Sequence, residues 1–369
     1  MDDKTPSPDC SGNTFAFFSH MKKQKIATES GIKLLNQLII EQILFFKKKY
    51  IMKVLANDGL TQSGIDALKE NGFEVITDKV AQENLITYIN ENQVKVLLVR
   101  SATKVTKEMV DNCPSLEIIG RGGVGMDNIE VAYAREKGKH VINTPAASSE
   151  SVAELVFAHL FSGSRFLQDS NRQMPVKGNT EFAKLKKKYE AGIELRGKTI
   201  GIVGIGRIGQ EVARIALGLG MKVIASDTRI GKASVRVDFY NQQYINVEIE
   251  TEPLEQLIQH SDFITLHVPA QDGPIIGKAE LEKMKTGAAI VNCARGGVID
   301  EEALIEALDS GKLAFAGLDV FENEPTPSEK ILTHPKISLT PHTGAATEEA
   351  QDRIGTELAN QIASILLVK

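Results

Sequence analysis

The chain has 369 residues, of which 42% are hydrophobic and 25% charged, and these ordinary globular values exclude disordered and collagen-like proteins. A net charge of −5 argues against a dedicated nucleic-acid or anionic-membrane binder, since both need a basic surface. The three cysteines are odd in number and lack CxxC spacing, so we expect neither a disulfide framework nor a thiolate metal site. This cysteine usage fits a reducing cytoplasm, and the length predicts two domains.

Residues 1–51 differ in composition from the rest of the chain. Their apolar stretch covers only residues 34–46 and is interrupted by polar side chains. A membrane span needs about 20 apolar residues, and a signal peptide would begin its apolar region earlier. We therefore expect a disordered extension or a start-site artefact, with Met52 as the true first residue and no association with a membrane.

From Met52 onward, short runs rich in β-branched residues alternate with helical patterns, and the last predicted helix covers residues 348–366. This alternation predicts βαβ units and parallel sheets, and hence an α/β fold. The predicted strands form two blocks, with residues 53–57, 73–77, 95–99, 117–120 and 140–143 in the first and 199–204, 222–226, 263–268, 289–293, 315–319 and 337–340 in the second.

Between the two blocks, residues 148–168 carry apolar side chains at helical spacing. We expect one connecting helix there, and its apolar positions favour a homodimer. Residues 175–195 are polar and are predicted to form a solvent-exposed loop, whose basic residues include Lys184, Lys186, Lys187 and Lys188. A second interpretation is that these lysines add positive charge to a substrate site across a dimer.

The segment that reads KTIGIVGIGRIG contains a GxGxxG motif at Gly204, Gly206 and Gly209. It follows an apolar strand and precedes a helical pattern, which is the context of a dinucleotide-binding turn. The first glycine permits the tight turn, the second lets the backbone approach a pyrophosphate, and the third allows the helix to pack closely on the sheet. The free N–H groups at the start of the helix then bind the phosphates.

An acidic residue, Asp227, stands at the end of the next predicted strand after the glycine motif. A carboxylate there accepts hydrogen bonds from the ribose hydroxyls and repels a 2′-phosphate, which favours NAD over NADP. Arg229 acts in the opposite sense, because a guanidinium group tolerates a phosphate. S-adenosylmethionine sites use similar glycine loops, so the loop alone does not decide the cofactor.

Three predicted strands of the second block are followed by residues with reactive side chains, namely Arg295, Glu324 and His342. Ligands bind beyond the carboxyl ends of the strands of a doubly wound sheet, so these side chains are expected to meet in one crevice. Arg295 can hold a carboxylate and polarise the adjacent carbonyl, His342 can exchange the hydroxyl proton, and Glu324 can fix the imidazole tautomer. The trio suits hydride transfer at a carbon that bears oxygen. No HExxH motif or acidic cluster points to a metal.

These residues resemble the D-isomer-specific 2-hydroxyacid dehydrogenases, and more closely the D-3-phosphoglycerate dehydrogenases among them. The family's signatures are present as GIVGIGRIG, LHVP, NCARGGVIDEEAL, AGLDVFENEP and TPHTGAAT, and the resemblance covers residues 53–366. It implies a two-domain α/β enzyme with two doubly wound parallel sheets and a cleft between them. Residues 52–148, completed by 342–369, would form a flavodoxin-like substrate domain, and residues 149–341 a Rossmann NAD domain.

The resemblance also implies the roles of individual residues. Arg295, Glu324 and His342 match the family's catalytic trio, and Glu324 rather than Glu322 matches its acid because it precedes Pro325. The implied cofactor contacts are Gly204, Gly206, Arg207, Ile208, Gly209, Asp227, Val124, His267, Val268, Cys293, Ala294, Asp319 and Gly344. The implied substrate contacts are Arg100, Ser101, Gly123, Val124 and Arg295. Arg100 is assigned to a phosphate, since a phosphate and a carboxylate together need at least two cationic anchors.

The implied reaction is the NAD-dependent oxidation of 3-phospho-D-glycerate to 3-phosphohydroxypyruvate, the first step of serine biosynthesis, in a cytoplasmic homodimer or higher homo-oligomer. A hydroxypyruvate, glyoxylate or other D-2-hydroxyacid reductase is the nearest alternative and would not need Arg100 as a phosphate anchor. A more remote alternative is an NADH-sensing binding protein like the co-repressors, which share the fold and the trio. Many family members carry a serine-binding C-terminal domain. Only one predicted helix follows His342 in this sequence, so we expect a short form without that feedback.

Overall fold

The computed structural model describes residues 51–367. The prediction for residues 1–51 therefore lies, apart from Ile51, outside the described residues. Within them every predicted strand is present, with boundaries that agree to within two residues. The predicted α/β fold with two parallel sheets is confirmed.

The first sheet is built from residues 53–143. Its strands are β1 Lys53–Ala56, β2 Glu74–Ile76, β3 Val96–Val99, β4 Ile118–Arg121 and β5 His140–Asn143. They are all parallel and lie in the order β2-β1-β3-β4-β5, which is the order of flavodoxin-like sheets. Valine, leucine and isoleucine fill the central strands because both faces of such a sheet are buried.

Helices cover both faces of this sheet. The helices that connect its strands are α1 Gln62–Glu70, α2 Leu85–Asn92, α3 Lys107–Asn112 and α4 Val131–Glu136, with a 3-10 turn at Gln82–Asn84. Helices α2, α3 and α4 pack on one face through Leu85, Met109 and Ala134. Helix α1 packs on the other face through Leu68.

The second sheet is built from residues 199–339. The strands of this region are β6 Thr199–Val203, β7 Lys222–Ser226, β8 Lys232–Asp238, β9 Tyr244–Glu250, β10 Phe263–Leu266, β11 Ala288–Asn292, β12 Leu313–Leu318 and β13 Ile337–Leu339. Six of them form a parallel sheet in the order β13-β12-β11-β10-β6-β7, and β8 pairs only with β9. The strand order reverses between β6 and β10, and such a switch point is where open α/β sheets bind ligands.

Eight helices accompany this part of the described chain. They are α5 Ser149–Ser164, α6 Leu167–Lys177, α7 Phe182–Lys188, α8 Arg207–Gly218, α9 Leu254–His260, α10 Lys278–Lys283, α11 Glu301–Asp309 and α12 Glu329–Thr333. Helices α5 and α8 pack on one face of the six-stranded sheet. Helices α9 to α12 pack on the other. Asp300 caps α11, because its side chain accepts a hydrogen bond from the amide of Ala303 at 2.9 Å.

The loop predicted for residues 175–195 is largely wrong, since α6 extends into it and α7 lies within it. Leu185 is buried, and Asp169 on α6 accepts a hydrogen bond from the hydroxyl of Tyr189 at 2.9 Å, which holds α7 against α6. The run of lysines favours solvent exposure, but lysine is also a good helix former, and here the exposed lysines belong to a helix.

The antiparallel hairpin of β8 and β9 was not predicted. Its side chains alternate, with Ala233, Val235 and Val237 buried and their neighbours exposed. This period of two is the signal of a half-buried strand, and the sequence KASVRVD carries it. The hairpin therefore could have been found from the same pattern that gave the other strands.

The last helix, α13 Glu348–Leu366, returns to the first sheet. Ile354, Leu358 and Ile362 join the core that contains β1 and α1. The crossing with α1 is close, because a Cβ atom at Gly355 would lie 3.1 Å from the Cα of Gly64. Residues that follow the second sheet in the chain thus complete the core of the first sheet.

Replacing Gly355 with valine is expected to lower the free energy of unfolding by about 1–3 kcal/mol, because the new atoms overpack the contact between α13 and α1. The matched control is Gly218→Ala, whose Cβ meets nothing within 4 Å. Alanine is the better helix former, so the control should be neutral or stabilising by up to ~1 kcal/mol. Urea unfolding measures both changes. Unaltered stability of Gly355→Val would contradict the close crossing.

Candidate functional site

The carboxyl ends of both parallel sheets open onto one cleft. The turn after β11 carries Arg295, whose Nε donates a hydrogen bond to Oδ2 of Asp127 in the loop after β4, at 3.0 Å. This hydrogen bond links a turn of the second sheet to a loop of the first. The candidate site is therefore built from residues that follow β3 and β4 on one side and β6, β10, β11, β12 and β13 on the other.

The glycine motif follows β6 at the switch point. Gly204 has φ +96°, and a Cβ atom there would lie 2.5 Å from the carbonyl oxygen of His267. A Cβ at Gly209 would lie 2.1 Å from the carbonyl oxygen of Gly204, so both positions exclude larger residues by packing. Gly206 is different, since nothing lies within 4 Å of its Cβ position.

The open space at Gly206 adjoins the start of α8. That helix has no side-chain cap at its N-terminus, so its first amide groups remain available to an anion. Arg207 and Ile208, both predicted cofactor contacts, form its first turn. The residues present therefore fit the pyrophosphate of a dinucleotide.

Asp227 follows β7, beside the glycine loop. Its carboxylate accepts hydrogen bonds from the amides of Ile205 at 3.0 Å and Arg229 at 2.8 Å, which fix its orientation. A carboxylate held in this position next to the phosphate loop fits the ribose hydroxyls of a dinucleotide. The side chain of Arg229 is exposed to solvent.

The walls of the predicted cofactor site are neutral. Burial lowers the pKa of His267 to about 3, so its ring is uncharged at physiological pH, and its buried Nδ1 has no hydrogen-bond partner. Val268 contacts the glycine turn beside it. Cys293 and Ala294 are buried after β11, and burial raises the pKa of the Cys293 thiol. An uncharged, largely apolar wall suits the stacking of a planar ring.

Glu324 and His342 are in direct contact. Oε2 of Glu324 lies 2.8 Å from Nδ1 of His342, which leaves Nε2 for a substrate. The His342 side chain is 42% exposed, so a ligand in the cleft can reach it. Glu322 instead accepts a hydrogen bond from the amide of Glu301 at 3.2 Å. Of the two carboxylates, Glu324 is thus the one that contacts the imidazole.

The loop that carries His342 is held by a buried carboxylate. Asp319, 1% exposed at the end of β12, accepts hydrogen bonds from the amides of Thr343 at 2.8 Å and Gly344 at 2.9 Å. His342 itself adopts φ 53°, an unusual conformation for a residue with a side chain. Asp319 and Gly344 were expected to contact the cofactor, and their hydrogen bonds also fix the backbone beside His342.

Arg295 lies in a turn that Asn292 shapes. The amide group of Asn292 donates to the carbonyl of Arg295 at 2.8 Å, and its oxygen accepts from the amide of Ala294 at 3.0 Å. A Cβ at Gly296 would lie 1.8 Å from the carbonyl oxygen of Phe321, so this turn packs tightly against the segment that leads to Glu324. The sequence places Asn292 at the end of a predicted strand, but its role in shaping the turn is seen only in the folded structure.

On the opposite side of the cleft, Arg100 and the exposed Ser101 follow β3. The amide of Arg100 donates to Asp58 at 2.7 Å. Burial raises the pKa of Asp58, but hydrogen bonds from Lys79, Arg100 and Thr103 outweigh this effect and hold it below its usual value. The loop that carries Arg100 is therefore anchored to an ionised carboxylate.

Arg121 is a further cleft arginine that the sequence analysis missed. Its Nε donates to Oδ1 of Asn128 at 3.0 Å, while Nδ2 of Asn128 donates to the carbonyl of Arg100 at 2.7 Å. Burial and then the positive charges of Arg295 and Arg100 lower the pKa of Arg121. Arg121 ends β4 just before the predicted substrate contacts Gly123 and Val124, so the strand-end argument used for Arg295 would have found it.

Among residues 51–367, no helix is long and apolar enough to cross a membrane. The same residues contain no group of three or more His, Cys, Asp or Glu side chains that could hold a metal ion.

Residues 157–344 match the model of the D-isomer specific 2-hydroxyacid dehydrogenase, NAD binding domain. A D-3-phosphoglycerate dehydrogenase of Methanocaldococcus jannaschii is 42% identical over 318 residues, which are 86% of this chain and 58% of that protein. A hydroxypyruvate reductase of Thermotoga maritima is 42% identical over 316 residues, which are 84% of this chain and 97% of that protein. The chain belongs to the D-isomer-specific 2-hydroxyacid dehydrogenase family.

The solved structure of an acyclic imino acid reductase in complex with NADPH and D-Arg has the same fold. It is 30% identical, with a TM-score of 0.72, over 86% of this chain and 97% of that one. The family's NAD(P)-binding domain is therefore present and contains the GxGxxG turn and α8. The chain spans little more than half the length of the phosphoglycerate dehydrogenase and nearly all of the hydroxypyruvate reductase.

Replacing Gly206 with valine is expected to weaken NADH binding by about tenfold or more, because the side chain fills the space that the pyrophosphate needs. The melting temperature of the protein without cofactor should stay nearly unchanged, since a Cβ atom at Gly206 has no protein atom within 4 Å. Gly204→Val should instead lower the melting temperature, because of its positive φ and the nearby His267 carbonyl. Fluorescence titration with NADH and thermal melts separate the two effects. Full NADH affinity in Gly206→Val would contradict the assignment.

Proposed function

We propose that this chain is an NAD-dependent D-2-hydroxyacid dehydrogenase that interconverts 3-phospho-D-glycerate and 3-phosphohydroxypyruvate, the entry to serine biosynthesis. The observation that carries the reaction type is the pairing of Glu324 with His342 at 2.8 Å in a cleft that Arg295 also faces. Acid–base catalysis at a hydroxyl group needs an oriented imidazole, and a 2-hydroxy acid needs a cation for its carboxylate.

In the proposed oxidation, Nε2 of His342 takes the proton of the C2 hydroxyl group. Glu324 keeps the ring in one tautomer and offsets the positive charge that the ring gains. Arg295 binds the substrate carboxylate and stabilises the developing carbonyl oxygen, a charge-stabilising role like that of an oxyanion hole. A bound NAD would supply the acceptor for the hydride that leaves C2. In the reverse reaction His342 returns the proton to the oxygen.

We propose NAD rather than NADP as the cofactor. Asp227 supports this choice, since its fixed carboxylate would face the ribose hydroxyls and repel a 2′-phosphate. Gly206, Arg207 and Ile208 would hold the pyrophosphate at the start of α8. His267, Val268, Cys293 and Ala294 would line the remaining cofactor site, with Val124, Asp319 and Gly344 at the nicotinamide end.

The phosphate preference rests on the cationic groups opposite Arg295. Asn128 bonds both the side chain of Arg121 and the carbonyl of Arg100, and after burial the positive charges of Arg295 and Arg100 lower the pKa of Arg121. A substrate with a carboxylate at one end and a phosphate at the other would neutralise such a cluster. The 42% identity to a D-3-phosphoglycerate dehydrogenase supports the same substrate.

Hydroxypyruvate reduction is the second candidate. The similarity to the Thermotoga maritima hydroxypyruvate reductase supports it. That protein is also 42% identical, and the match covers 97% of its own length. The reaction chemistry would be the same, with Arg295, Glu324 and His342 in the same roles. Only the need for Arg100 and Arg121 as phosphate anchors would disappear.

We further propose that residues 52–148 with 342–369 form the substrate domain and that residues 149–341 form the NAD domain. The packing of α13 on α1 supports this division. A homodimer through helices α5 to α7 is also proposed. Phe161, Leu167 and Phe182 of these helices support it, because these large apolar side chains are exposed.

Replacing His342 with alanine is expected to lower kcat by about 10²–10⁴-fold while the affinity for NADH stays nearly unchanged. Glu324→Gln should lower kcat by at least about tenfold, because the carboxylate no longer orients the ring. Glu322→Gln is the matched control, since Glu322 bonds a backbone amide away from the ring. Steady-state NADH oxidation measures all three. Equal activity of the two glutamine variants would refute the role of Glu324.

The substrate is tested by comparing 3-phosphohydroxypyruvate, hydroxypyruvate and glyoxylate in NADH oxidation. We expect kcat/KM to favour the phosphorylated acid by at least about 100-fold, and Arg100→Ala to abolish that preference. Lys107→Ala, which removes a positive charge that lies over the ring of Tyr133, serves as the control. Equal or better use of the unphosphorylated acids would leave the chemistry intact and select the hydroxypyruvate reductase.

A further inference from the structure

A carboxylate in the loop after β4 reaches across the cleft to the arginine of the catalytic trio. Oδ2 of Asp127 accepts the hydrogen bond from Nε of Arg295 at 3.0 Å. Asp127 follows a strand of the first sheet and Arg295 follows a strand of the second, so the bond forms only when the two sides of the cleft are close. Arg295 is 24% exposed and Asp127 58% exposed, so the ion pair adds little to stability. Its consequence lies in the orientation of Arg295 and in the charge that the carboxylate balances.

The guanidinium group of Arg295 is fixed at two further points. Nη1 donates to the carbonyl of Ala294 at 2.6 Å. Nη2 lies against Gly125, where an added Cβ atom would be 1.5 Å away from it. With Nε on Asp127 as well, the plane of the group is determined, and N–H groups on Nη1 and Nη2 remain for a ligand. A long side chain held in this way loses the rotamer freedom that would otherwise oppose productive binding.

The charges around Arg295 explain why a carboxylate is needed there. Arg121 and Arg100 face the same region, and the positive charge of Arg295 disfavours the protonated form of Arg121, whereas Asp127 favours it. Without an opposite charge, three guanidinium groups would repel each other whenever the cleft closes. Asp127 supplies that charge at the point where the two sheets' edges meet.

We propose that Asp127 is the positioning residue for Arg295. Its carboxylate sets the guanidinium plane as the cleft closes, so that Arg295 presents its remaining N–H groups to the substrate only in the closed state. This inference rests on the proposed function, in which Arg295 binds the carboxylate of a 2-oxo or 2-hydroxy acid. Asp127 touches neither substrate nor cofactor and acts only through Arg295.

A double-mutant cycle tests whether Asp127 acts through Arg295. Asp127→Asn, Arg295→Ala and the double variant are compared with the parent protein in hydroxypyruvate reduction. Oxamate binding to the NADH complex is measured separately by NADH fluorescence. Asp127→Asn is expected to lower kcat/KM and oxamate affinity by about tenfold, and by less than about twofold when Arg295 is already alanine. NADH affinity should be unchanged throughout.

The matched control is Asp111→Asn, which makes the same substitution at an exposed acid of helix α3 that pairs with Lys137. It should change kcat/KM by less than about twofold, since the side chain of Asp111 bonds Lys137 and Tyr133 rather than Arg295. An equal loss from Asp127→Asn with and without Arg295 would overturn the proposal, because Asp127 would then act independently. No loss at all would overturn it too. Tighter oxamate binding in Asp127→Asn would overturn it by making Asp127 a competitor of the substrate.

The oxamate measurement separates this inference from the proposed function. If the parent protein reduces no 2-oxo acid, the proposed function fails. A loss of oxamate affinity that depends on Arg295 would still support the positioning role of Asp127 in that case. If the parent protein is active and the cycle shows additive effects, the function stands and the positioning role is wrong.

Discussion

Parallel pairing places the carboxyl end of every strand at one edge of its sheet, and both sheets of this protein turn that edge toward a common cleft. This constraint brings together side chains that are far apart in the chain, from Arg100 after β3 to His342 after β13. Each strand then needs only a short turn to present its residue. The rest of the site consists of the hydrogen bonds that fix those turns: Asn292 behind Arg295, Asp319 behind the His342 loop and Asp58 behind Arg100. Buried polar groups of this kind are satisfied by backbone amides, which fixes the turns without exposing charge to the core.

The two sides of the cleft differ in electrostatic character. The walls of the cofactor site carry a neutral imidazole at His267 and a protonated thiol at Cys293, because burial disfavours the charged form of each. The opposite side gathers the guanidinium groups of Arg100 and Arg121, which arginine retains even when partly buried. In the proposed function, the rings of the cofactor and the charged groups of the substrate would therefore meet separate surfaces. The two sides differ because the turns after some strands carry neutral side chains, whereas the ends of β3 and β4 carry arginines.

Much of this arrangement can be predicted from the sequence, because strand ends and glycine spacing are local signals. The GxGxxG turn, Asp227 and the residues of the trio all stand within six residues of the end of an apolar strand that is easy to delimit. The choice between Glu322 and Glu324 was made by resemblance, and only the folded backbone shows which carboxylate contacts the imidazole. Asn128 was beyond prediction for a different reason: it bridges Arg121 and the Arg100 loop, and no spacing in the chain encodes that contact. Helix α7 and the β8–β9 hairpin were missed because lysine content and charge were weighted above helix propensity and alternation.

The return of α13 to the first sheet also affects how the chain can fold during synthesis. Ile354, Leu358 and Ile362 belong to the same core as Val54 and Val96, which the ribosome adds long before them. The first sheet therefore emerges from the ribosome with one face only partly covered, and it stays so while the whole second sheet is translated. The second sheet is continuous in the chain and can complete its own core first. Domains usually fold in order from the N-terminus, but here the N-terminal sheet must finish last.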